Sequence, residues 1–140
     1  MWLNMNEQIE TITDLEKQFE ITRAYLASEL YEFLVPLSEA RAPNTLPFEE
    51  GLQSISLHIK ILENIFSELN QEFNALGHAT VVDWQPAHEK RNEEIHLFKE
   101  IIRKLEMLKD QESLSALAAE TYLHYRQQIE KWQSDFNNPF

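Results

Sequence analysis

Apolar residues recur along most of this chain at steps of three and four, which is the period of an α-helix rather than of a strand. The cleanest run is a mid-chain seam with steps 3-4-3-4-3-4-3, made of Leu52, Ile55, Ile59, Leu62, Phe66, Leu69, Phe73 and Leu76. Strands cannot use this spacing, because their side chains alternate with a period of two. The seam therefore predicts a long amphipathic helix.

Three other segments show the same period, so the pattern predicts four helices, over about residues 6–37, 47–76, 86–109 and 113–136. In the first segment, Thr13 and Glu16 have the form of a capping box, which indicates a helix start at about Thr13 or a little earlier. Pro36 favours termination of that helix. The stretch 38–47, which contains three residues typical of turns, is predicted to be a loop.

Four long helices joined by short loops predict an all-α, up-down-up-down antiparallel bundle that forms a single domain over residues 1–140. A second apolar row, Leu57, Ile61 and Ile65, lies beside the seam of the second helix. We interpret both rows as core of one monomer, because wide apolar faces are normal in globular helices. A homodimer or a partner helix covering the second row is the alternative.

The charge of the chain is strongly negative. Its 24 acidic and 12 basic residues give a net charge of −12, with 12 acids against 4 bases in residues 1–70 and 12 against 8 in residues 71–140. Such a charge repels nucleic acid and favours a protein partner with a basic surface, facing the first half above all. No apolar run suits a membrane span and no signal peptide is visible, so a cytoplasmic protein without a membrane partner is expected.

The sequence lacks the residues or motifs that several kinds of functional site require. The absence of cysteine excludes disulfides, zinc ribbons and a thiol nucleophile. A di-iron bundle needs two Glu-x-x-His motifs, and only Glu93-x-x-His96 is present among scattered histidines. Walker, dinucleotide-binding and Gly-x-Ser-x-Gly motifs are also missing. We therefore expect no metal and no cofactor.

One short segment carries residue types suited to phosphate chemistry, namely Arg91, Asn92 and His96 in the order Arg-Asn-x-x-x-His. A histidine titrates near neutral pH, and a guanidinium can bind phosphate with two hydrogen bonds. The pattern resembles the signature of the HEPN superfamily, all-α proteins that include many metal-independent ribonucleases. Trp84, seven residues before Arg91, and Phe98, two residues after His96, add to the resemblance to toxins of that superfamily.

The resemblance implies a role for each residue of the motif. His96 would handle protons at the ribose 2′-OH or the leaving oxygen, Arg91 would neutralise the phosphate, and Asn92 would help to position the two. On a straight helix, five steps of about 100° separate Arg91 and His96 by about 140°. The two side chains could then share one phosphate only across a dimer interface, where HEPN sites are usually assembled, or with a later helix start.

Two function classes follow. The first is an acidic, all-helical interaction protein that binds a basic protein partner, such as an inhibitor, an immunity or antitoxin-type protein, or a mimic of nucleic-acid charge. The second is a HEPN-like, metal-independent endoribonuclease of toxin or defence type, or an inactive relative, which acts on RNA as a homodimer through Arg91 and His96.

The third predicted helix also carries a polar row at steps of 4-4-3-4, made of His88, Asn92, His96, Lys99 and Arg103. We interpret this row as an ordinary exposed face, because mixed charge is what exposed helices show. The alternative is a small basic face that binds phosphate or an acidic partner.

Overall fold

The computed structural model describes residues 5–39, 45–76, 84–107 and 114–137, with side chains over 7–39, 48–76, 84–107 and 116–134. These residues form four α-helices and no strand: α1 Met5–Glu39, α2 Thr45–Leu76, α3 Gln85–Met107 and α4 Leu114–Asn137. The helix ends that the structure describes lie within two residues of the bounds predicted above. The all-α prediction is confirmed.

Neighbouring helices run antiparallel. α1 packs extensively against α2 and α4, α3 packs against α2, and α3 touches α4 only lightly. The contacts that fix these directions are Phe33–Phe48 and Phe19–Phe66 between α1 and α2, Phe73–Trp84 and Phe66–His88 between α2 and α3, Phe98–Trp132 and Lys104–Tyr125 between α3 and α4, and Tyr31–Tyr122 and Arg23–Trp132 between α1 and α4. The fold is therefore the predicted up-down-up-down bundle, with α1 and α3 on one diagonal.

The seam of α2 forms part of the core, as predicted. Six of its eight residues are buried, and Phe66 and Phe73 are half-buried against the core. Of the second row only Ile65 is buried, whereas Leu57 and Ile61 are 59% and 40% exposed. The interpretation of both rows as core is therefore wrong for these two residues. The bundle covers α2 only on the sides that face α1 and α3, and Leu57 and Ile61 lie on its outer side.

The start of α1 differs from the capping-box prediction. The helix is already formed at Met5, and the Thr13 hydroxyl donates a hydrogen bond to the Ile9 carbonyl one turn earlier, at 2.9 Å. Thr13 thus lies in the helix interior, where the prediction of a cap is wrong. No glycine or proline interrupts the chain between Met5 and Val35, and the helix is not forced to begin at Thr13.

The predicted loop at 38–47 is shorter than expected. α1 continues through Pro36 to Glu39, because a proline in the last turn disturbs few of the hydrogen bonds that hold the helix. Ser38, two residues after Pro36, donates a hydrogen bond from its hydroxyl to the Val35 carbonyl, at 2.7 Å. α2 begins at Thr45, so residues 45–47 are helical, and residues 40–44 lie outside the described part of the chain.

Gly51 of α2 lies directly against the Phe33 ring of α1. A Cβ atom at this position would lie 2.5 Å from Cε2 of Phe33, well inside contact distance. The Phe33 ring also stacks on Phe48, with ring centres 5.5 Å apart. A larger residue at position 51 would therefore force the Phe33 ring to shift.

Candidate functional site

Arg91, the arginine of the Arg-Asn-x-x-x-His motif, points across the bundle towards α1. Its Nη2 lies 2.7 Å from Oε2 of Glu16, and its guanidinium carbon lies 5.7 Å from the centre of the Phe19 ring. The Arg91 side chain is only 12% exposed. In this chain the guanidinium is therefore bound to a carboxylate of the same molecule, which occupies donors that a phosphate would need.

Glu94, three residues later on α3, makes the second ion pair on the same diagonal. Nη1 of Arg23 donates to both carboxylate oxygens, at 2.9 and 3.2 Å, and the two side chains are 15% and 7% exposed. The Arg23 guanidinium also lies 5.7 Å from the Trp132 ring centre. Sequence reasoning missed this pair, because the two residues are 71 positions apart and lie on different helices.

The other residues of the motif face away from this pair. Asn92 and His96 are exposed. The structure therefore does not bring Arg91 and His96 together within one chain, and a site shared by two copies stays a prediction. Trp84 stacks on Phe73 at 4.9 Å, and Phe98 is buried against Trp132 at the same distance, so both aromatic residues that add to the HEPN resemblance have partners in the bundle.

A different surface, on the outer side of α1 and α2, combines exposed apolar side chains from two helices. Ile21 and Tyr25 of α1 are 49% and 41% exposed, and they lie one turn apart. Leu57 and Ile61 of α2 form a second such pair. His58, which follows Leu57 in the chain, reaches α1 and lies with its ring 4.8 Å from that of Tyr25. We call these four residues the apolar patch.

Polar side chains support the patch from below. Oε2 of Glu29 accepts a hydrogen bond from the Ser54 hydroxyl at 2.8 Å, and its Oε1 lies 3.2 Å from Nδ1 of His58. Nδ1 of His58 is also 2.8 Å from the Ser54 carbonyl. These contacts fix the imidazole against which Tyr25 packs. The patch therefore belongs to a well-anchored junction of α1 and α2.

The surface around the apolar patch is acidic. Exposed acids of α1 and α2 outnumber exposed bases eight to two among the described side chains. The acids are Glu7, Glu10, Asp14, Glu32, Glu39, Glu49, Glu50 and Glu68, and the bases are Lys17 and Lys60. Glu32 and Glu50 flank the patch at the end marked by the Phe33–Phe48 contact, and Asp14 and Glu68 lie towards the other end. The acidity predicted for the first half is therefore concentrated on the outside of these two helices.

The exposed charges of α3 and α4 are closer to balance. Their described side chains include six exposed acids and five exposed bases: Glu89, Glu93, Glu100, Glu106, Glu120 and Glu130 against Lys90, Lys99, Arg103, Arg126 and Lys131. On α4, Nε of Arg126 donates to Glu130 at 3.0 Å, and this hydrogen bond raises the pKa of Arg126. Burial raises the pKa of Tyr122, and the nearby Glu130 carboxylate adds to the effect.

Sequence reasoning singled out half of the apolar patch, as part of a second row that we interpreted as core, and missed the other half. The signal for Leu57 and Ile61 was the second row of α2, which exceeds what one neighbouring helix can cover. Ile21 and Tyr25 gave a weaker signal, because they lie off the main stripe of α1 as a single pair rather than as a row of three. Their pairing with α2 depends on the antiparallel register of the two helices, which only the folded chain shows.

Within the described ranges, histidine and the acidic residues form no group of three that could hold a metal ion. None of the helices there combines the length and the apolar character that a membrane crossing requires. Comparison of the chain with protein-family models, with curated proteins and with solved structures gives no match.

Proposed function

We propose that this chain is a non-catalytic interaction protein that binds a basic protein partner through the apolar patch and its acidic surroundings. The observation that carries the proposal is the exposure of Ile21, Tyr25, Leu57 and Ile61 on two adjoining helices, within a surface where acids outnumber bases eight to two. Contiguous exposed apolar groups rimmed by polar ones are typical of protein-binding surfaces. An inhibitor, an immunity or antitoxin-type protein and a mimic of nucleic-acid charge would all use such a surface.

The two parts of the surface would do different work in binding. The apolar side chains supply affinity by leaving water, at about 25 cal/mol per Å² of apolar area buried. The acids act at longer range, because they accelerate association with a basic partner and reject acidic competitors. Since both helices are anchored to the core, little ordering would be needed on binding.

The geometry gives less support to the ribonuclease hypothesis. The Arg91 guanidinium is held by Glu16, and Asn92 and His96 lie on the exposed side of α3. Catalysis by this motif would require a second copy of the chain and the release of Arg91 from its carboxylate. The interaction function needs neither.

A synthetic peptide that carries the chemistry of the proposed partner tests the proposal. The probe is an amphipathic helix made of leucine and lysine, and its matched counterpart has glutamate in place of lysine. We expect the lysine peptide to bind saturably in fluorescence anisotropy and the glutamate peptide not to bind. The double variant Ile21→Ser/Ile61→Ser should weaken binding by about tenfold, through the loss of apolar contact area.

The matched control is Leu123→Ser on α4, which removes a side chain that is 68% exposed but lies outside the patch. It should bind the lysine peptide as the wild type does. Equal losses in the patch variant and the control would overturn the proposed surface. RNA cleavage by the wild type that disappears in His96→Ala would overturn the non-catalytic function itself.

A further inference from the structure

The imidazole of His58 lies at the junction of α1 and α2, beside the apolar patch. Its ring is 4.8 Å from that of Tyr25 of α1. On α2, Leu57 precedes it in the chain and Ile61 follows it one turn later, and both are exposed members of the patch. The His58 side chain is itself 25% exposed. A partner that covers the apolar patch would therefore also meet this ring.

One of the two ring nitrogens of His58 is already occupied. Nδ1 lies 2.8 Å from the Ser54 carbonyl oxygen, which can only accept a hydrogen bond, so Nδ1 carries a proton in the neutral ring as well as in the charged one. Nε2 forms no hydrogen bond with another described residue. The neutral ring therefore has its free lone pair at Nε2, and this nitrogen takes up the second proton when the ring becomes charged.

The titratable groups that face the ring come from α1. Oε1 of Glu29 lies 3.2 Å from Nδ1 and is buried without a hydrogen bond to any described residue. Tyr25 also contacts the ring, and a phenol carries no charge at neutral pH. On α2 itself the nearest charged residue in sequence is Lys60, about 200° further around the helix. No described residue of α3 or α4 forms a hydrogen bond, ion pair or ring contact with His58.

His58 and Glu29 therefore change the charge of this surface together. With the ring neutral, the two side chains carry one negative charge, and with the ring protonated they carry none. Histidine is the side chain that ordinarily gains its charge between about pH 8 and pH 5. A loss of negative charge beside the apolar patch would weaken the attraction for a basic partner.

We infer that His58 makes partner binding dependent on pH, an inference that rests on the proposed function because it concerns the same surface. The neutral ring accepts a hydrogen bond at Nε2 from a lysine or arginine side chain of the partner. Protonation removes this acceptor and offsets the charge of Glu29, so two attractions for the cation are lost at once. The partner is therefore bound at neutral and mildly alkaline pH and released as the solution becomes mildly acidic.

The leucine–lysine peptide tests the inference, because lysine keeps its charge throughout the range in which histidine titrates. Fluorescence anisotropy gives the dissociation constant at about pH 8 and at about pH 5.5. We expect the wild type to bind about fivefold more weakly at the lower pH, which corresponds to the net contribution of about one hydrogen bond. His58→Gln should lose most of this pH dependence, because its amide can donate to Ser54 and accept from the peptide but cannot titrate.

His96→Gln is the matched control, since it removes an exposed histidine of α3, outside the patch. It should keep the pH dependence of the wild type. Circular dichroism checks that each variant remains helical. Equal wild-type binding at both pH values, a pH dependence that His58→Gln retains, or one that His96→Gln abolishes would overturn the inference and leave the proposed surface in place. Absence of binding at both pH values would overturn the proposed function as well.

A second measurement does not require the peptide. Long-range proton–nitrogen NMR spectra of the free chain show which nitrogen of a neutral histidine carries the proton, and we expect Nδ1 for His58. A proton on Nε2 would overturn the inference, since the neutral ring could then not accept from a partner. Saturating peptide at about pH 6.5 should shift His58, but not His96, towards the neutral form, because peptide binding and proton release are reciprocally linked. An unchanged protonation of His58 would also contradict the inference.

Discussion

The α1–α2 half and the α3–α4 half of this bundle handle their charges differently. On α1 and α2, eight exposed acids face two exposed bases, whereas α3 and α4 expose six acids and five bases. α1 and α2 also pack closely, with Gly51 directly against the Phe33 ring, while α3 and α4 touch only lightly. The half that is better packed therefore carries the less balanced surface, which is the arrangement expected when a surface is kept for a partner and the scaffold supports it.

The orientation of the Arg23 side chain explains part of this difference in surface charge. Arg23 lies on α1, but its guanidinium is directed into the bundle and bound to Glu94 of α3. Its side chain is only 15% exposed, so it adds little positive charge to the outer surface of α1. The buried ion pair and the acidic surface are in this sense two results of one side-chain orientation.

The largest expected effect comes from breaking Arg23–Glu94, the most deeply buried of the ion pairs that link the two halves. Glu94→Ala leaves the Arg23 guanidinium largely buried without its carboxylate and should lower the free energy of unfolding by about 3 kcal/mol. Glu16→Ala should cost only about 1 kcal/mol, because Glu16 is 37% exposed and water already reaches this pair. Urea denaturation followed by circular dichroism measures both. Equal losses would show that the two pairs are equivalent and that burial does not distinguish them.

A smaller effect tests the close packing of the α1–α2 half. Gly51→Ala should lower the free energy of unfolding by about 1–2 kcal/mol, because the new methyl group would overlap the Phe33 ring. The intrinsic helix preference alone predicts the opposite sign, a gain of about 1 kcal/mol. Thermal unfolding of Gly51→Ala and of Gly51→Ala/Phe33→Leu decides between them, since the smaller side chain at position 33 should restore stability. A stabilised Gly51→Ala variant would contradict the close approach.

The effect of the charge difference on stability can be measured at low ionic strength. Glu32→Gln/Glu50→Gln should raise the free energy of unfolding by about 0.3 kcal/mol, because it relieves repulsion among the acids of α1 and α2. The matched pair Glu100→Gln/Glu120→Gln, on the balanced half, should give no such gain. Added salt should remove the difference by screening. A gain of the same size in both variants would mean that the acidity is spread over the whole molecule.

The smallest expected effect on stability concerns Tyr122 in the α3–α4 half, and it appears only at alkaline pH. Burial, with the Glu130 carboxylate, raises the pKa of Tyr122 above its ordinary value of 10.0, so the fold favours the neutral phenol. This contribution to stability is fully present below pH 10 and is lost as the pH rises through the higher pKa of the folded state. The free energy of unfolding of Tyr122→Phe should therefore fall less steeply above pH 10 than that of the wild type. Urea titrations at several pH values across that range measure both slopes. An unchanged slope would contradict the raised pKa.

The periodicity of the sequence was enough to predict the helices and their antiparallel order, because a seam such as that of α2 permits only one kind of element. It was not enough to predict which apolar residues stay exposed. Leu57 and Ile65 look alike in the sequence, and only the position of α1 buries one and leaves the other outside. The capping-box pattern failed for a related reason, since Thr13 and Glu16 have their partners along and across the bundle rather than at a helix end.

The candidate site was harder to predict than the fold. Arg91, Asn92 and His96 carry residue types that suit phosphate chemistry, but a pattern within one helix does not show what another helix places opposite. Glu16 lies 75 positions before Arg91, and nothing local to either residue indicates the pair. The proposed binding function and the ribonuclease hypothesis therefore differ in which side chains the folded chain leaves available, not in composition.

The two diagonal ion pairs have a further consequence for how the chain selects its topology. Along α1 the acid, Glu16, precedes the base, Arg23, and along α3 the base, Arg91, precedes the acid, Glu94. Opposite charges meet only when α1 and α3 point the same way. If α3 were inserted upside down, Glu16 would face Glu94 and Arg23 would face Arg91 beside the same Phe19 ring. Four side chains thus favour the observed direction of α3 relative to α1, because a reversed α3 would bring like charges together as its apolar face packs.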